Sequence, residues 1–122
     1  MNSYRDLIGW QKAIDVVVDI YRVTRSFPAN EQFALTNQLR RAAVSIPSNI
    51  AEGQGRGTDK EFCHFLRIAR GSIQEVETQL LIAHRLNYCP AAEAEECLKR
   101  LDEVSRILAG SIRSLSKPDD NR

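Results

Sequence analysis

Apolar residues recur every three or four positions along most of this chain, in four segments separated by short connections. This spacing places side chains on one face of an α-helix, so each segment predicts a helix. In the first segment, Ser3 and Asp6 are the expected N-cap pair, and Phe27-Pro28 is expected to end the helix. Its predicted core stripe consists of Leu7, Trp10, Ile14, Val17, Tyr21 and Thr24.

The second segment contains a proline in its middle. We expect a helix that begins near Asn30 as N-cap and ends in the glycine-rich stretch 53–57. Pro47 lacks an N–H for the carbonyl of Ala43, which predicts a kink, and the alternative is two shorter helices that meet at Pro47. A single kinked helix is favoured because the apolar stripe continues across the proline. That stripe consists of Leu35, Leu39, Ala42, Ile46, Asn49 and Gly53.

The third segment has the clearest start, because Thr58-Asp59-Lys60-Glu61 fits a capping box. We expect this helix to reach about Asn87, with its stripe formed by Phe62, Leu66, Ala69, Ile73, Val76, Leu80 and Ala83. The fourth helix is expected to begin around Pro90, which a first helical turn tolerates. Its stripe is Leu98, Leu101, Ser105, Leu108, Ile112 and Leu115.

Long helices joined by short links favour antiparallel neighbours. The predicted fold is therefore all-α, an antiparallel up-down-up-down four-helix bundle over residues 1–117, with a frayed tail over 118–122. The chain has 122 residues, which is long enough for one domain with its own core. No secretory signal pattern and no apolar run of about 18 residues is present, so we expect a cytoplasmic protein without a membrane partner.

Five apolar residues fall outside the predicted stripes: Val16, Val23, Ile68, Leu81 and Ile82. One interpretation is a wide core stripe with scattered apolar surface residues. The other is a second apolar face that serves self-association, and this is the interpretation we favour.

Catalytic and metal-binding patterns are weak. His64 and His84 lie on one predicted helix, about 30 Å apart at helical rise, so they cannot share a ligand within one subunit. The segment Glu61-Phe62-Cys63-His64 fits Glu-x-x-His, but a di-metal bundle site needs two such copies. Three cysteines, Cys63, Cys89 and Cys97, give an odd count without C-x-x-C spacing. We expect no catalytic residue, no metal, no cofactor and no enzymatic activity.

Asn49 lies in the core phase of the second helix, Glu52 follows almost one turn later, and Ser45 and Ser72 are positioned to face them. These four residues predict a hydrogen-bonded polar layer that fixes helix register, because buried polar groups need partners. In the alternative, Glu52 holds Arg40 or Arg41 and orients it outward.

Basic residues are concentrated in the middle of the chain, although the net charge is only +1. Residues 40–70 contain six Lys or Arg against three acids. Such donors are what phosphate contacts require, although a solvated face is the commoner role of any single arginine. The candidate nucleic-acid-binding residues are Arg40, Arg41, Arg56, Lys60, Arg67 and Arg70.

Nearly the whole chain resembles the family of 23S rRNA-intervening sequence proteins, in residue order and in spacing. The resemblance rests on Trp10-Gln11-Lys12-Ala13, Phe27-Pro28, the run Gln38 to Arg56, Glu61-Phe62, Phe65-Leu66, Ala69, Gly71-Ser72, Glu75 and Leu86-Asn87-Tyr88. It implies a four-helix bundle that assembles as a homopentamer. A related branch comprises accessory proteins of diversity-generating retroelements, which bind a reverse transcriptase and nucleic acid. This chain departs from that branch, since from residue 91 onward seven acids outnumber six basic residues.

Residues and resemblance together favour a non-enzymatic, homo-oligomeric scaffold with weak, sequence-independent binding of RNA, DNA or a ribonucleoprotein. The alternative is a protein-binding adaptor, such as an accessory subunit of a reverse transcriptase, with no direct nucleic-acid role.

Overall fold

The four periodic segments form four α-helices in the computed structural model, which describes residues 3–117. These helices are α1 (Ile8–Thr24), α2 (Leu35–Gly55), α3 (Asp59–Arg85) and α4 (Ala91–Ser116). Two short 3-10 helices precede α1 and α2, at Tyr4–Asp6 and Ala29–Glu31. The described residues contain no β-strand, so the predicted all-α class is confirmed. The predicted tail over 118–122 lies outside them.

The starts of α1 and α2 differ from the prediction. Ser3 caps the short 3-10 helix rather than α1, with its Oγ accepting a hydrogen bond from the backbone N–H of Arg5 at 3.0 Å. Asn30 is not the N-cap of α2, because residues Ala29–Glu31 form a 3-10 helix and α2 begins only at Leu35. A longer side chain replaces it as the local cap, since Glu31 Oε1 accepts from the Leu35 N–H at 3.3 Å.

Both ends of α3 follow from local chemistry. Thr58 Oγ1 accepts a hydrogen bond from the Glu61 N–H at 3.2 Å, which confirms the predicted N-cap. At the other end, Asn87 adopts a left-handed conformation with φ of 63°, which asparagine tolerates better than most residues. The N–H of Tyr88 then reaches back to the carbonyl of Ala83 at 2.9 Å, the bond expected of a helix that ends this way.

Pro47 lies inside one continuous helix, so the alternative of two shorter helices is wrong. The proline is itself buried, within the apolar stripe that continues across it. Burial of this stripe compensates for the backbone hydrogen bond that Pro47 cannot donate. The predicted kink at this position stays a prediction.

The helices pack as a closed ring: α1 contacts α2, α2 contacts α3, α3 contacts α4, and α4 contacts α1. Contacts between α2 and α3 run in opposite directions, because Ser45 bonds to Ser72 while Gly53 lies against Phe65. The same reversal holds for α1 and α4, where Lys12 pairs with Glu103 and Asp19 pairs with Arg100. Neighbouring helices are therefore antiparallel in these pairs.

The core confirms the predicted stripes of α2 and α3 but not that of α1. The α4 stripe is confirmed only in part, because Leu101 and Leu108 are buried together with the unpredicted Ala94, Cys97 and Val104. Along α1 the residues in the core are Ala13, Val16, Ile20 and Val23, which belong to a core cluster shared by all four helices. Val16 and Val23, which fall outside the predicted stripe, are only 1% and 7% exposed. Tyr21, which we assigned to the core, is 40% exposed. The predicted α1 stripe therefore lies beside the buried one, and only its member Thr24 is fully buried, since α1 carries two adjacent apolar stripes with the same spacing.

The other three apolar residues outside the predicted stripes lie on the surface. Ile68, Leu81 and Ile82 on α3 are each between 40% and 48% exposed, and Leu86 just beyond the helix end is 49% exposed. Ile68 and Ile82 are fourteen residues apart, which is four helical turns, so they share one outward stripe of α3. We call Ile68, Ile82 and Leu86 the α3 outer stripe.

Candidate nucleic-acid interface

The six basic candidates are divided among three places. Arg40 points toward α1, whereas Arg70 points toward α4. Because the helices form a ring, the groove between α1 and α2 and the groove between α3 and α4 lie on opposite sides of the bundle. The candidates do not form one surface within a protomer.

Arg40 is held on the C-terminal turn of α1. Its Nε donates a hydrogen bond to Thr24 Oγ1 at 2.8 Å, and a terminal nitrogen approaches the carbonyl oxygen of Tyr21 at 3.4 Å. Its guanidinium carbon also lies 4.5 Å from the centre of the Tyr21 ring, which is cation–π distance. A positive charge is favourable here, because the last carbonyls of a helix lack intrahelical partners.

Arg41 follows Arg40 in the chain but is exposed. Successive helical residues point about 100° apart, so Arg41 lies away from the contacts of its neighbour. It makes no hydrogen bond or ion pair that would occupy its donors within residues 3–117. All of its N–H groups are therefore available to a ligand.

Both arginines line an open groove of about 650 Å³ between the C-terminal half of α1 and the start of α2. We call it the α1–α2 groove, and its lining residues are Tyr21, Gln32, Phe33, Thr36, Asn37, Arg40, Arg41, Val44 and Ser45. None of these described residues is acidic. The groove therefore combines positive charge with an aromatic and amide surface.

Phe33 is the residue of the groove that the sequence analysis missed. Its side chain is 87% exposed, far more than any other large apolar side chain in the described part of the chain. It stands outside every helical stripe, in the turn between the 3-10 helix Ala29–Glu31 and α2. The available signal was an aromatic residue in a connection, without an apolar partner at helical spacing.

The second group of basic residues lies where α2 passes into α3. Arg56 forms an ion pair with Glu52, with 2.6 Å between Nη2 and Oε2, and its guanidinium carbon lies 4.9 Å from the Phe65 ring centre. Lys60 is exposed in the first turn of α3. Since Glu52 already balances the charge of Arg56, this group offers less free positive charge than the α1–α2 groove.

The third group lies on the flank of α3 that faces α4. Arg70 Nε is 3.5 Å from Ser105 Oγ, at the limit of a hydrogen bond. Arg67, one turn earlier, is exposed and makes no hydrogen bond or ion pair within residues 3–117. This flank is not uniformly basic, because Glu77 further along α3 interacts with Asp102 of α4. Burial, and secondarily the charge of Asp102, raise the pKa of the Glu77 carboxyl.

Three of the four polar-layer candidates are hydrogen-bonded to one another. The hydroxyls of Ser45 and Ser72 are 2.6 Å apart, across the α2–α3 interface. Asn49 donates its amide to the Ser45 carbonyl at 2.8 Å and to the Ser45 hydroxyl at 3.0 Å. Glu52 lies outside this cluster, because its carboxylate turns outward to Arg56 and contacts neither Arg40 nor Arg41. We call Ser45, Asn49 and Ser72 the polar seam.

The remaining chemical groups are held in structural contacts. His64 packs edge-on against Phe65, and His84 Nδ1 lies 3.3 Å from the carbonyl of Cys89. Burial raises the pKa of the Cys97 thiol to about 11, with the charge of Asp19 adding to the effect. Such a thiol stays protonated at neutral pH and is a poor nucleophile.

Residues 3–117 contain no group of three or more His, Cys, Asp or Glu side chains arranged to hold a metal ion. In the same part of the chain, none of the helices combines the length and the apolar character that crossing a membrane requires.

Known proteins match this chain at the level of family and of fold. The family model described as 23S rRNA-intervening sequence protein matches residues 5–110. The crystal structure of a protein of unknown function from the S23 ribosomal protein family of Bacteroides thetaiotaomicron is similar, with a TM-score of 0.80 at 22% sequence identity. The alignment covers 87% of this chain and 96% of that chain. A search of curated proteins gives no match. The resemblance found in the sequence is thus confirmed over most of the chain, which belongs to the 23S rRNA-intervening sequence protein family.

Proposed function

We propose that this protein is a non-enzymatic, homo-oligomeric helical scaffold that binds nucleic acid weakly and largely without sequence preference. The observation that carries this proposal is the α1–α2 groove, where two arginines and two exposed aromatic rings lie together without an acidic residue. Grooves of this kind bind nucleic acid through phosphate contacts and through stacking of bases on aromatic rings.

The two arginines of the groove have different roles in this proposal. Arg40 has donors committed to Thr24 and Tyr21, so it supplies positive charge and holds the Tyr21 ring. Arg41 has its donors free and makes the main phosphate contact. Arg56, Lys60, Arg67 and Arg70 then contribute weaker contacts on other sides of the protomer.

Self-association would repeat the groove and strengthen weak binding. The α3 outer stripe supports it, because Ile68, Ile82 and Leu86 expose apolar area on one helix face. We propose a pentamer, as the family resemblance implies. A long nucleic acid that reaches several grooves would bind with higher apparent affinity than one groove provides.

The test of nucleic-acid binding is a titration of a labelled structured RNA with purified protein, followed by fluorescence anisotropy at low and at near-physiological salt. We expect the affinity to fall steeply with salt, because bound arginines displace condensed counterions. Arg41→Ala should lower the salt slope by about one for each groove in contact, and the Arg67→Ala/Arg70→Ala double variant should lower it less. Arg106→Ala is the matched control, since Arg106 is exposed on α4 and paired with Asp102.

Two results would contradict this proposal. Absence of binding at low salt removes nucleic acid as a ligand. An unchanged slope in both the Arg41 variant and the Arg67/Arg70 variant removes these arginines as carriers.

The test of self-association is the mass in solution, measured by sedimentation equilibrium. We expect about five times the protomer mass of 13.8 kDa. Ile68→Glu and Ile82→Glu should shift the mass toward that of one protomer, because a charge buried in an apolar interface is strongly unfavourable. Val18→Glu is the control, as Val18 is exposed to a similar degree on α1. A wild-type protein with the mass of one protomer would contradict the proposal.

The protein-adaptor function is the second candidate, and the same α3 outer stripe favours it. In that case the stripe docks a partner protein, such as a reverse transcriptase, and the arginines are solvated surface. A partner that remains bound after nuclease treatment and at high salt would support the adaptor, since phosphate contacts weaken under both conditions.

A further inference from the structure

We propose that the α1–α2 groove selects unpaired nucleotides, with one base stacked on Phe33 and the neighbouring phosphate bound by Arg41. This inference rests on the proposed nucleic-acid binding and adds which form of nucleic acid the groove recognises. It is carried by the geometry of the turn that presents Phe33.

Phe33 is exposed on a turn that is anchored at both ends. The N–H of Ala34 donates to the carbonyl of Glu31 at 3.0 Å, and the N–H of Leu35 donates to Glu31 Oε1 at 3.3 Å. The second oxygen of the same carboxylate, Oε2, accepts the hydroxyl of Tyr88 at 2.9 Å. A single carboxylate thus ties the turn to α2 and to the α3–α4 connection.

This anchoring fixes the backbone that bears the exposed ring. The centre of the Tyr88 ring lies 5.5 Å from that of the buried Phe27 ring, and this packing holds Tyr88 in place. A stacking platform loses little conformational entropy on binding when its backbone is already fixed. Phe33 is such a platform, because its backbone neighbours are hydrogen-bonded while its ring faces solvent.

The opposite side of the groove is equally fixed. Thr24 Oγ1 accepts from Arg40 and donates to the Ile20 carbonyl at 2.7 Å, so the threonine is locked within α1. The guanidinium of Arg40 in turn covers the Tyr21 ring. Arg41 is the one cation of the groove that is free to follow a ligand, and it is within the same lining as Phe33.

Charge and shape together favour a single strand over a duplex. The two arginines meet no acid among the residues that line the groove, so its charge complements a phosphate backbone. Within a duplex the faces of the bases are stacked on one another, so Arg41 still reaches the phosphates but Phe33 has no base face to contact. A base must therefore be unpaired before Phe33 contributes to binding.

The experiment compares a fluorescent oligouridine with a blunt RNA duplex of the same length, by anisotropy at constant salt. We expect the full-length protein to bind the oligouridine more tightly than the duplex. Phe33→Ala should weaken oligouridine binding by about fivefold or more and leave duplex binding unchanged. Phe33→Trp should preserve the preference, whereas Phe33→Leu, which is apolar but has no aromatic face, should lose it.

The possible outcomes separate this inference from the proposed function. If oligouridine and duplex bind equally and Phe33→Ala binds both like the wild type, nucleic-acid binding stands and the selection of unpaired nucleotides is overturned. If Phe33→Leu keeps the preference, stacking is overturned as its cause. If Phe33→Ala lowers the mass of the oligomer, Phe33 belongs to a subunit interface and the inference is also overturned. Absence of binding by either RNA overturns both proposals.

Discussion

Helix α2 presents two flanks that pack in opposite ways. Toward α3, it presents Ser45, Asn49 and Gly53, each four residues apart. This flank packs against its neighbour through the Ser45 hydroxyl and Gly53, although Ser45 also borders the α1–α2 groove. Toward α1, it presents Arg40 and Val44, and this flank borders the open α1–α2 groove. Small side chains let two helices approach closely, whereas long and charged ones leave space that water or a ligand fills. One helix thus separates a structural flank from a flank that is available for binding.

The largest expected effect on stability comes from adding a methyl group at Gly53, where α2 and α3 are in close contact. A Cβ atom at Gly53 would lie 2.6 Å from the Cβ of Phe65, which is not the flexible end of that side chain. Gly53→Ala should therefore lower the free energy of unfolding by about 1–3 kcal/mol, as overpacked cores do. Urea denaturation measures this change.

Gly55→Ala is the matched control in the same helix, because nothing lies within 4 Å of a Cβ at that position. Alanine there should leave stability unchanged or raise it by up to about 1 kcal/mol through helix propensity. Equal stabilities of the two variants would show that the α2–α3 flank is not closed at Gly53.

The polar seam should show an asymmetric effect of about 1–2 kcal/mol. Ser45→Ala removes the partner of the buried Ser72 hydroxyl and one of the two acceptors of the Asn49 amide, so polar groups lose hydrogen bonds in the interface. Ser72→Ala should cost less, since Ser45 keeps its bond to Asn49. Thermal melting of both single variants and the double variant measures the coupling. Strict additivity of the two single effects would count against the seam as a cooperative unit.

The Thr24–Arg40 contact beside the α1–α2 groove should contribute less to stability than the polar seam. Thr24→Val keeps the shape of the side chain but removes the acceptor of Arg40 Nε, and we expect a loss of roughly 0.5–1.5 kcal/mol in the free energy of unfolding. Arg40 remains partly exposed, so water replaces much of the lost interaction. A loss as large as that of Gly53→Ala would mean that the groove is a structural element rather than a binding surface.

The smallest expected effect is at the centre of the candidate site. Phe33→Ser should change the free energy of unfolding by less than about 0.5 kcal/mol, because the ring is 87% exposed and contributes little buried area. Chemical denaturation at low protein concentration isolates the protomer from any contribution of assembly. A clear destabilisation under those conditions would place Phe33 in the fold and not in the ligand site.

The prediction from sequence was accurate where the apolar pattern of a helix allowed only one buried face. The core stripe of α3 and its N-cap Thr58 both follow from local periodicity and capping chemistry. It failed for α1, where Trp10 belongs to one stripe and Ala13 to the adjacent one, at the same helical spacing. Periodicity shows that both are apolar, but the packing of α2 and α4 decides which stripe is buried.

The candidate site was predictable in its charges and not in its geometry. The run Gln38 to Arg56 contains Arg40 and Arg41 together with the polar seam residues Ser45 and Asn49, and it was singled out from the sequence. The partner of Glu52 was not, because an exposed carboxylate pairs with whichever cation its rotamers reach, here Arg56. Phe33 was missed because a connection has no periodicity to interpret.

The sequence by itself determined the number of helices, the core stripes of α2 and α3, the cap of α3 and the family, since these depend on residue order and local chemistry. Only the tertiary structure decided which stripe of α1 is buried, which flank of α2 stays open, and how the basic residues divide among three surfaces. The physical reason is that each of these depends on the packing of helices distant in sequence. The turn that bears Phe33 shows this most directly, because it is fixed by Tyr88, which lies far along the chain.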